Sequence, residues 1–175
     1  FTEKANALNY TELEQNIKDN INKSFKIKSK IQSCIATKER TYEPLVEIKE
    51  DIRVPFSELK LKEKNSKYNI LKENNLFIPF NIIFIDADNE VQVELARVYK
   101  QQLKEKLEIY VVKGDLLSLS KYKAFEDVKI ARDGLELKAF NVQCLPSIYT
   151  QKDYQFSIVE YNPNDLRKSQ NEDKK

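Results

Sequence analysis

The chain has no histidine, no tryptophan and no methionine, and only two glycines and two cysteines among its 175 residues. Each shortage excludes chemistry. Without histidine there is no Ser-His or Cys-His nucleophile pair and no histidine-ligated metal. With glycine only at Gly114 and Gly134, there is no glycine-rich phosphate loop and no dinucleotide fingerprint. The 30 basic and 28 acidic residues leave a net charge of +2, too little for an electrostatically driven nucleic-acid binder, so no nucleic-acid partner is expected. The longest apolar run, Leu76 to Ile85, is broken by Pro79 and Asn81. It is shorter than the ~20 residues of a membrane helix, so no membrane span is expected. Hydrophobic residues still make up 41 %, enough for one domain core with an arm attached.

What is present divides into four stretches: 1–36, 37–76, 77–161 and 162–175. In the first, Thr11 and Glu14 have capping-box spacing. Leu13, Ile17, Ile21, Phe25, Ile31 and Ile35 follow in an approximate four-residue step. That pattern predicts a long N-terminal amphipathic helix, with Thr11 to Ala36 spanning roughly 38 Å. Its stripe serves either the chain's own core or a partner; Ile17, Ile21 and Ile31 are the partner-binding candidates. In 37–76, short alternations at Val46–Ile48, Ile52–Val54 and Leu59–Lys62 lie among Pro44 and Pro55, so an irregular segment with edge strands is expected. The lysines from Lys60 to Lys72 alternate with glutamates and read as a solvated face. The tail 162–175 is polar and expected to be flexible.

Residues 77–161 read as an α/β domain. Phe80 to Ile85 is a continuous apolar run, the pattern of a strand buried on both faces. A helix over Asn89–Lys106, a strand over Glu108–Lys113, two short helical pieces and a short strand at Val128–Ala131 come next. The chain then passes Cys144-Leu145-Pro146 into a hairpin of Ser147–Thr150 and Gln155–Tyr161. This order resembles the thioredoxin fold, a mixed sheet whose C-terminal hairpin follows a cis-proline. The resemblance implies a cis bond at Leu145-Pro146 and makes both residues candidates for partner contact, with Pro146 also structural.

A thioredoxin-like enzyme needs a reactive thiol where the first core strand meets the next helix. That corner reads Asp86-Ala87-Asp88-Asn89-Glu90-Val91 and holds no cysteine, so redox catalysis there is excluded. Asp86 and Asp88 also resemble the D-x-D motif of Mg²⁺-dependent haloacid-dehalogenase-like phosphatases. The following Asn89 and Glu90 depart from that family's pattern, and a helix cap with an acidic first turn accounts for the same residues. No catalytic, cofactor-binding or metal-binding residue is therefore expected. Cys34 and Cys144 are either a disulfide closing a loop of about 110 residues or two buried thiols; composition leaves both open.

A second resemblance covers about Thr37 to Tyr161. Arg40-Thr41-Tyr42-Glu43-Pro44 with Asp51-Ile52 is similar to the R-x(3)-P…D-I segment of TraW proteins of F-type conjugative type IV secretion systems. Phe84-Ile85-Asp86-Ala87-Asp88 with Gln92 is similar to that family's F-I-D-G-D and glutamine, which implies structural roles for Asp86 and Gln92. Tyr110 to Asp115, Asp133-Gly134, Phe140-Asn141-Val142 and Leu145-Pro146-Ser147 follow in the family's order. Most family glycines are missing: Ala87 and Asn141 each stand in place of one. The resemblance implies a non-catalytic periplasmic assembly factor, released from a signal peptide, which scaffolds conjugative pilus assembly with a TrbC-like protein and other secretion-system components. The alternatives are a catalytically dead thioredoxin-like binding module outside conjugation, or a phosphatase using Asp86 and Asp88. Oligomeric state is not legible.

Overall fold

A computed structural model describes residues 12, 14, 15, 19, 25–53, 55 and 60–166. The architecture is mixed α/β around one sheet of seven strands. In chain order these are β1 (Lys26–Ile27), β2 (Lys38–Tyr42), β3 (Asn81–Asp86), β4 (Leu107–Asp115), β5 (Lys129–Ile130), β6 (Ser147–Lys152) and β7 (Gln155–Glu160). Their spatial order is β1-β4-β3-β6-β7-β2, with β5 also on β4. β3 and β4 run parallel, while β6 is antiparallel to both β3 and β7. Ser147 stands opposite Phe84 and Glu160, which fixes the register at one end.

The central strand explains the layering. Ile82 and Phe84 point to one face of the sheet and Ile83 and Ile85 to the other, and all four are buried. On the second face lies helix α2 (Glu90–Leu103), whose Val93 and Ala96 join Ile83, Ile85, Ile109 and Val111. Asn89 caps that helix by accepting from the amides of Val91 and Gln92. On the first face, Phe84, Tyr149, Phe140 and Phe156 form an edge-packed aromatic cluster beside the short helix α3 (Glu136–Ala139). Helix α1 (Ile70–Glu73), capped by Asn69, and two small hairpins (Leu45–Glu47 with Lys67–Asn69, Ile52–Arg53 with Lys60–Lys62) extend the domain beyond β2. No helix among the described residues is long and apolar enough to cross a membrane.

The structure corrects the reading of the N-terminal stretch. Glu12, Glu14, Gln15 and Asp19 are helical, but from Lys26 the chain is extended, so no helix runs to Ala36. Lys26 and Ile27 pair antiparallel with the end of β4, and Gln32-Ser33 pairs with Cys144-Leu145. The reason is a second periodicity under the four-residue one. Lys26, Lys28 and Lys30 are exposed, while Ile27, Ser29 and Ile31 are half-buried, an alternation of period two. Residues 37–76 are less irregular than expected, because Lys38–Tyr42 is a full edge strand of the main sheet. In the tail, 163–166 form a helical turn held by Thr37 Oγ1 donating to Asp165 at 3.0 Å; 167–175 lie outside the described residues.

Candidate functional site

The sheet has two ends of different character. At the Ser147 end, the Leu145-Pro146 peptide is cis. Cys34 and Cys144 form a disulfide across a Cα separation of 4.9 Å. The Cys34 amide donates to the Leu145 carbonyl at 2.8 Å, and the Tyr161 amide to the Pro146 carbonyl at 3.1 Å. Leu145 and Pro146 are both buried as a result. The 32–34 segment pairs alongside this loop, so the two residues named as partner-contact candidates are not exposed at the surface of the chain.

Beneath this loop lies a polar network. Glu160 is fully buried; its carboxylate accepts from Arg40 Nε at 2.7 Å and lies 3.2 Å from Lys38 Nζ. Arg40 also donates to the Asn141 carbonyl at 2.9 Å. Tyr149, packed against this network, has its hydroxyl pushed up to about 12 by burial. The Glu160 carboxylate and the two sulfurs lie within 4.8 Å of one another. With the sulfurs joined to each other, no thiolate is left there to hold a metal. Sequence reasoning missed Glu160, yet it left a signal: Phe156, Ile158 and Glu160 alternate onto the same buried face, so a charge is aimed into the core.

The corner at the end of β3 is bound into the fold. Asp86 Oδ2 lies 3.3 Å from Lys113 Nζ, and Asp86 Oδ1 accepts from the Asp88 amide at 3.0 Å. Asp88 Oδ1 accepts from the Asp115 amide at 2.9 Å. The turn passes so close to Gly114, at φ +102°, that a Cβ there would meet the Asp88 nitrogen at 2.6 Å. Fully buried Gln92 accepts from the Asp86 amide at 2.9 Å and points its amide toward the Leu145 carbonyl at 3.5 Å. Both aspartates thus have partners within the turn, and Gln92 spans the gap between the corner and the proline loop.

At the other end of the sheet an apolar groove of about 840 Å³ lies open. Tyr42, Phe140 and Phe156 line it from within. Around them stand Phe77, Leu135, Leu76 and Leu45, which are 74, 53, 47 and 46 % exposed. Its charged lining residues are Glu47, Lys49 and Lys138. Sequence reasoning did not find this surface: Leu76 and Phe77 entered it only as the start of the longest apolar run. Of the stripe residues, Ile31 packs against the aromatic face of the core, while Ile17 and Ile21 lie outside the described residues.

Compared with known proteins, the chain matches no protein-family model, no curated protein and no solved structure.

Proposed function

We propose that the chain is a non-catalytic protein-binding factor on a thioredoxin-like core, acting in the periplasm in the assembly of a conjugative type IV secretion system. The observation that carries the non-catalytic reading is the corner at Asp86. It holds no thiol, and the carboxylates of Asp86 and Asp88 are engaged by Lys113 and backbone amides. The strand order β4-β3-β6-β7, with a cis-proline before an antiparallel β6, supports the thioredoxin-like core. The Cys34–Cys144 disulfide suits an oxidising compartment such as the periplasm. The conjugation reading rests on the TraW-like residues, of which Arg40 holds the buried Glu160.

The test is to mix the purified chain with a TrbC-like protein encoded in the same genome. Light scattering after size exclusion reports the mass. A stable complex of summed mass supports the assembly role. Two separate peaks at tens of micromolar remove it and leave a thioredoxin-like binding module outside conjugation. Mg²⁺-dependent turnover of an aryl phosphate that Asp86→Asn abolishes would overturn the non-catalytic reading.

A further inference from the structure

Beside the proline loop the chain brings two sulfurs and a carboxylate to one place. Cys34 Sγ, Cys144 Sγ and a Glu160 oxygen lie within 4.8 Å of one another. Cys34 and Glu160 are buried, and Cys144 is half-buried. The disulfide is not all that holds the cysteines together. Gln32-Ser33 pairs parallel with Cys144-Leu145, and the Cys34 amide donates to the Leu145 carbonyl at 2.8 Å. Opening the sulfur–sulfur bond therefore leaves two thiols side by side on a paired backbone.

The two oxygens of Glu160 are held differently. Oε1 accepts from Arg40 Nε at 2.7 Å, and Arg40 is itself fixed by the Asn141 carbonyl. Oε2 is buried and makes no hydrogen bond. Its ion-pair partner is Lys38 Nζ at 3.2 Å, on a side chain that is 54 % exposed. Among the described residues one other buried side-chain oxygen or nitrogen makes no hydrogen bond, Ser147 Oγ, and Ser147 stands opposite Glu160 in the register. Buried polar atoms in this state call for an explanation.

We propose that the reduced chain binds one divalent ion of the zinc class through Cys34 Sγ, Cys144 Sγ and Glu160 Oε2. The cysteines are thiols as the chain is made, before an oxidising compartment joins them. A tetrahedral zinc about 2.3 Å from sulfur and about 2.1 Å from oxygen spaces its ligand atoms roughly 3.6–3.8 Å apart, and rotation of the cysteine side chains supplies that spacing. Two sulfurs among three ligands select zinc over magnesium or calcium. Binding releases a proton from each thiol. Two thiolates and one carboxylate then face the doubly charged ion and the Arg40 guanidinium, so the charges cancel. Lys38, displaced from Oε2, returns to solvent, while Arg40 orients the carboxylate from outside. Cys34 also lines a surface hollow of about 380 Å³ with Asn89 and Asn162, which gives the ion a way in. The ion ties residues 32–34 to the proline loop while the disulfide is open.

The full chain is reduced with a trialkylphosphine in the absence of oxygen. The disulfide takes two electrons from the phosphine and two protons from water, whose oxygen leaves as the phosphine oxide. Once the phosphine is removed, Co²⁺ is titrated in as the probe. The expected result is a thiolate-to-cobalt charge-transfer absorption that saturates at one ion per chain. Zn²⁺ should displace it, Mg²⁺ should not, and the oxidised chain should show none. Cys34→Ser, Cys144→Ser and Glu160→Gln are each expected to weaken binding at least about ten-fold. Lys38→Gln, at an exposed position, removes the cation that competes for Oε2 and should tighten binding roughly two- to five-fold. That variant tests the role of Glu160 even where Glu160→Gln does not fold. A reduced native chain without the charge-transfer absorption overturns the proposal. One ion per two chains by light scattering also overturns it, since the thiols then come from different copies. Unchanged affinity in Lys38→Gln overturns it as well, because the ion then rests on two thiolates alone.

Discussion

At the Ser147 end of the central sheet the chain crosses its own path and is tied there. Gln32-Ser33 runs beside Cys144-Leu145, a disulfide joins the two segments, and a buried Glu160 gathers Arg40 and Lys38 underneath. At the Lys152 end there is neither a disulfide nor a fully buried ion pair among the described residues; the ties there are hydrogen bonds, from buried Asn69 to Glu43 and the Tyr154 carbonyl, from Gln151 to the Leu76 carbonyl and from the Ile78 amide to Gln151. Tyr42, Phe140 and Phe156 face a groove whose surrounding Phe77 and Leu135 are open to solvent. The same sheet is therefore closed covalently and electrostatically at one end, and held by hydrogen bonds beside an open apolar groove at the other. The closed end resists change because its groups are buried with specific partners. The open end tolerates polar change within the monomer, since its exposed groups have no partner to lose.

The largest expected effect comes from removing the disulfide. Cys34→Ser/Cys144→Ser releases a loop with a sequence separation of 110 residues. The chain-entropy account gives a loss of up to about 4.7 kcal/mol for such a loop. Urea unfolding of oxidised native chain and variant, compared for midpoint and slope, measures it. A loss under about 1 kcal/mol would break the comparison, because hydrogen bonds alone would then hold the Ser147 end.

Glu160→Gln is next. It keeps the shape but leaves the largely buried Arg40, and the half-exposed Lys38 at its edge, facing a neutral amide. Breaking a buried ion pair costs 3–5 kcal/mol; we expect about 3 here, because Arg40 keeps its bond to the Asn141 carbonyl. The control at the open end is Leu135→Glu, which should stay within about 0.5 kcal/mol of native when measured as a monomer. Equal effects at the two positions would show that the ends differ only in geometry and not in energetics.

Much of this contrast was legible, and unevenly so. Phe80–Ile85, the Val91/Leu95/Val98 stripe and the hairpin after Pro146 carry strong periodicity, and their elements formed where that periodicity put them. The path from Phe25 to Tyr42 was not legible, for two reasons. Ile27, Ile31 and Ile35 satisfy a helical step while Lys26, Lys28 and Lys30 satisfy a strand step, and only pairing with β4 and with Cys144-Leu145 decides between them. Lys38–Tyr42 has no apolar alternation, because its inward-facing Arg40 is matched to a charge 120 residues away. The groove escaped for a third reason: Leu76 and Phe77 belong to the longest apolar run, which does not itself show which of its residues the fold leaves uncovered.

The smallest effect concerns the wall of the groove. Glu136 opens α3 and grips Arg132 through its guanidinium and its backbone amide, each at 3.0 Å. The Arg132 side chain, and then its amide, hold the Glu136 carboxyl down at about 2, from an ordinary 4.5. A lowered carboxylate value contributes stability that is present above the ordinary value and is lost as pH falls through the lowered one. The window is therefore about pH 4.5 down to about 2. The group lies at the surface, so salt weakens the effect and it is confined to α3 and the Leu135–Ala139 side of the groove. Acid titration of the Arg132 amide by NMR should show a midpoint near 2, and Glu136→Gln should remove that transition. Unfolding at the Ser147 end should be unaffected by this substitution, since the side-chain bonds of Glu136 go to Arg132 and to none of that end's ties. A midpoint near 4.5 would mean that Arg132 does not hold the carboxylate, and that this wall of the groove is looser than its geometry implies.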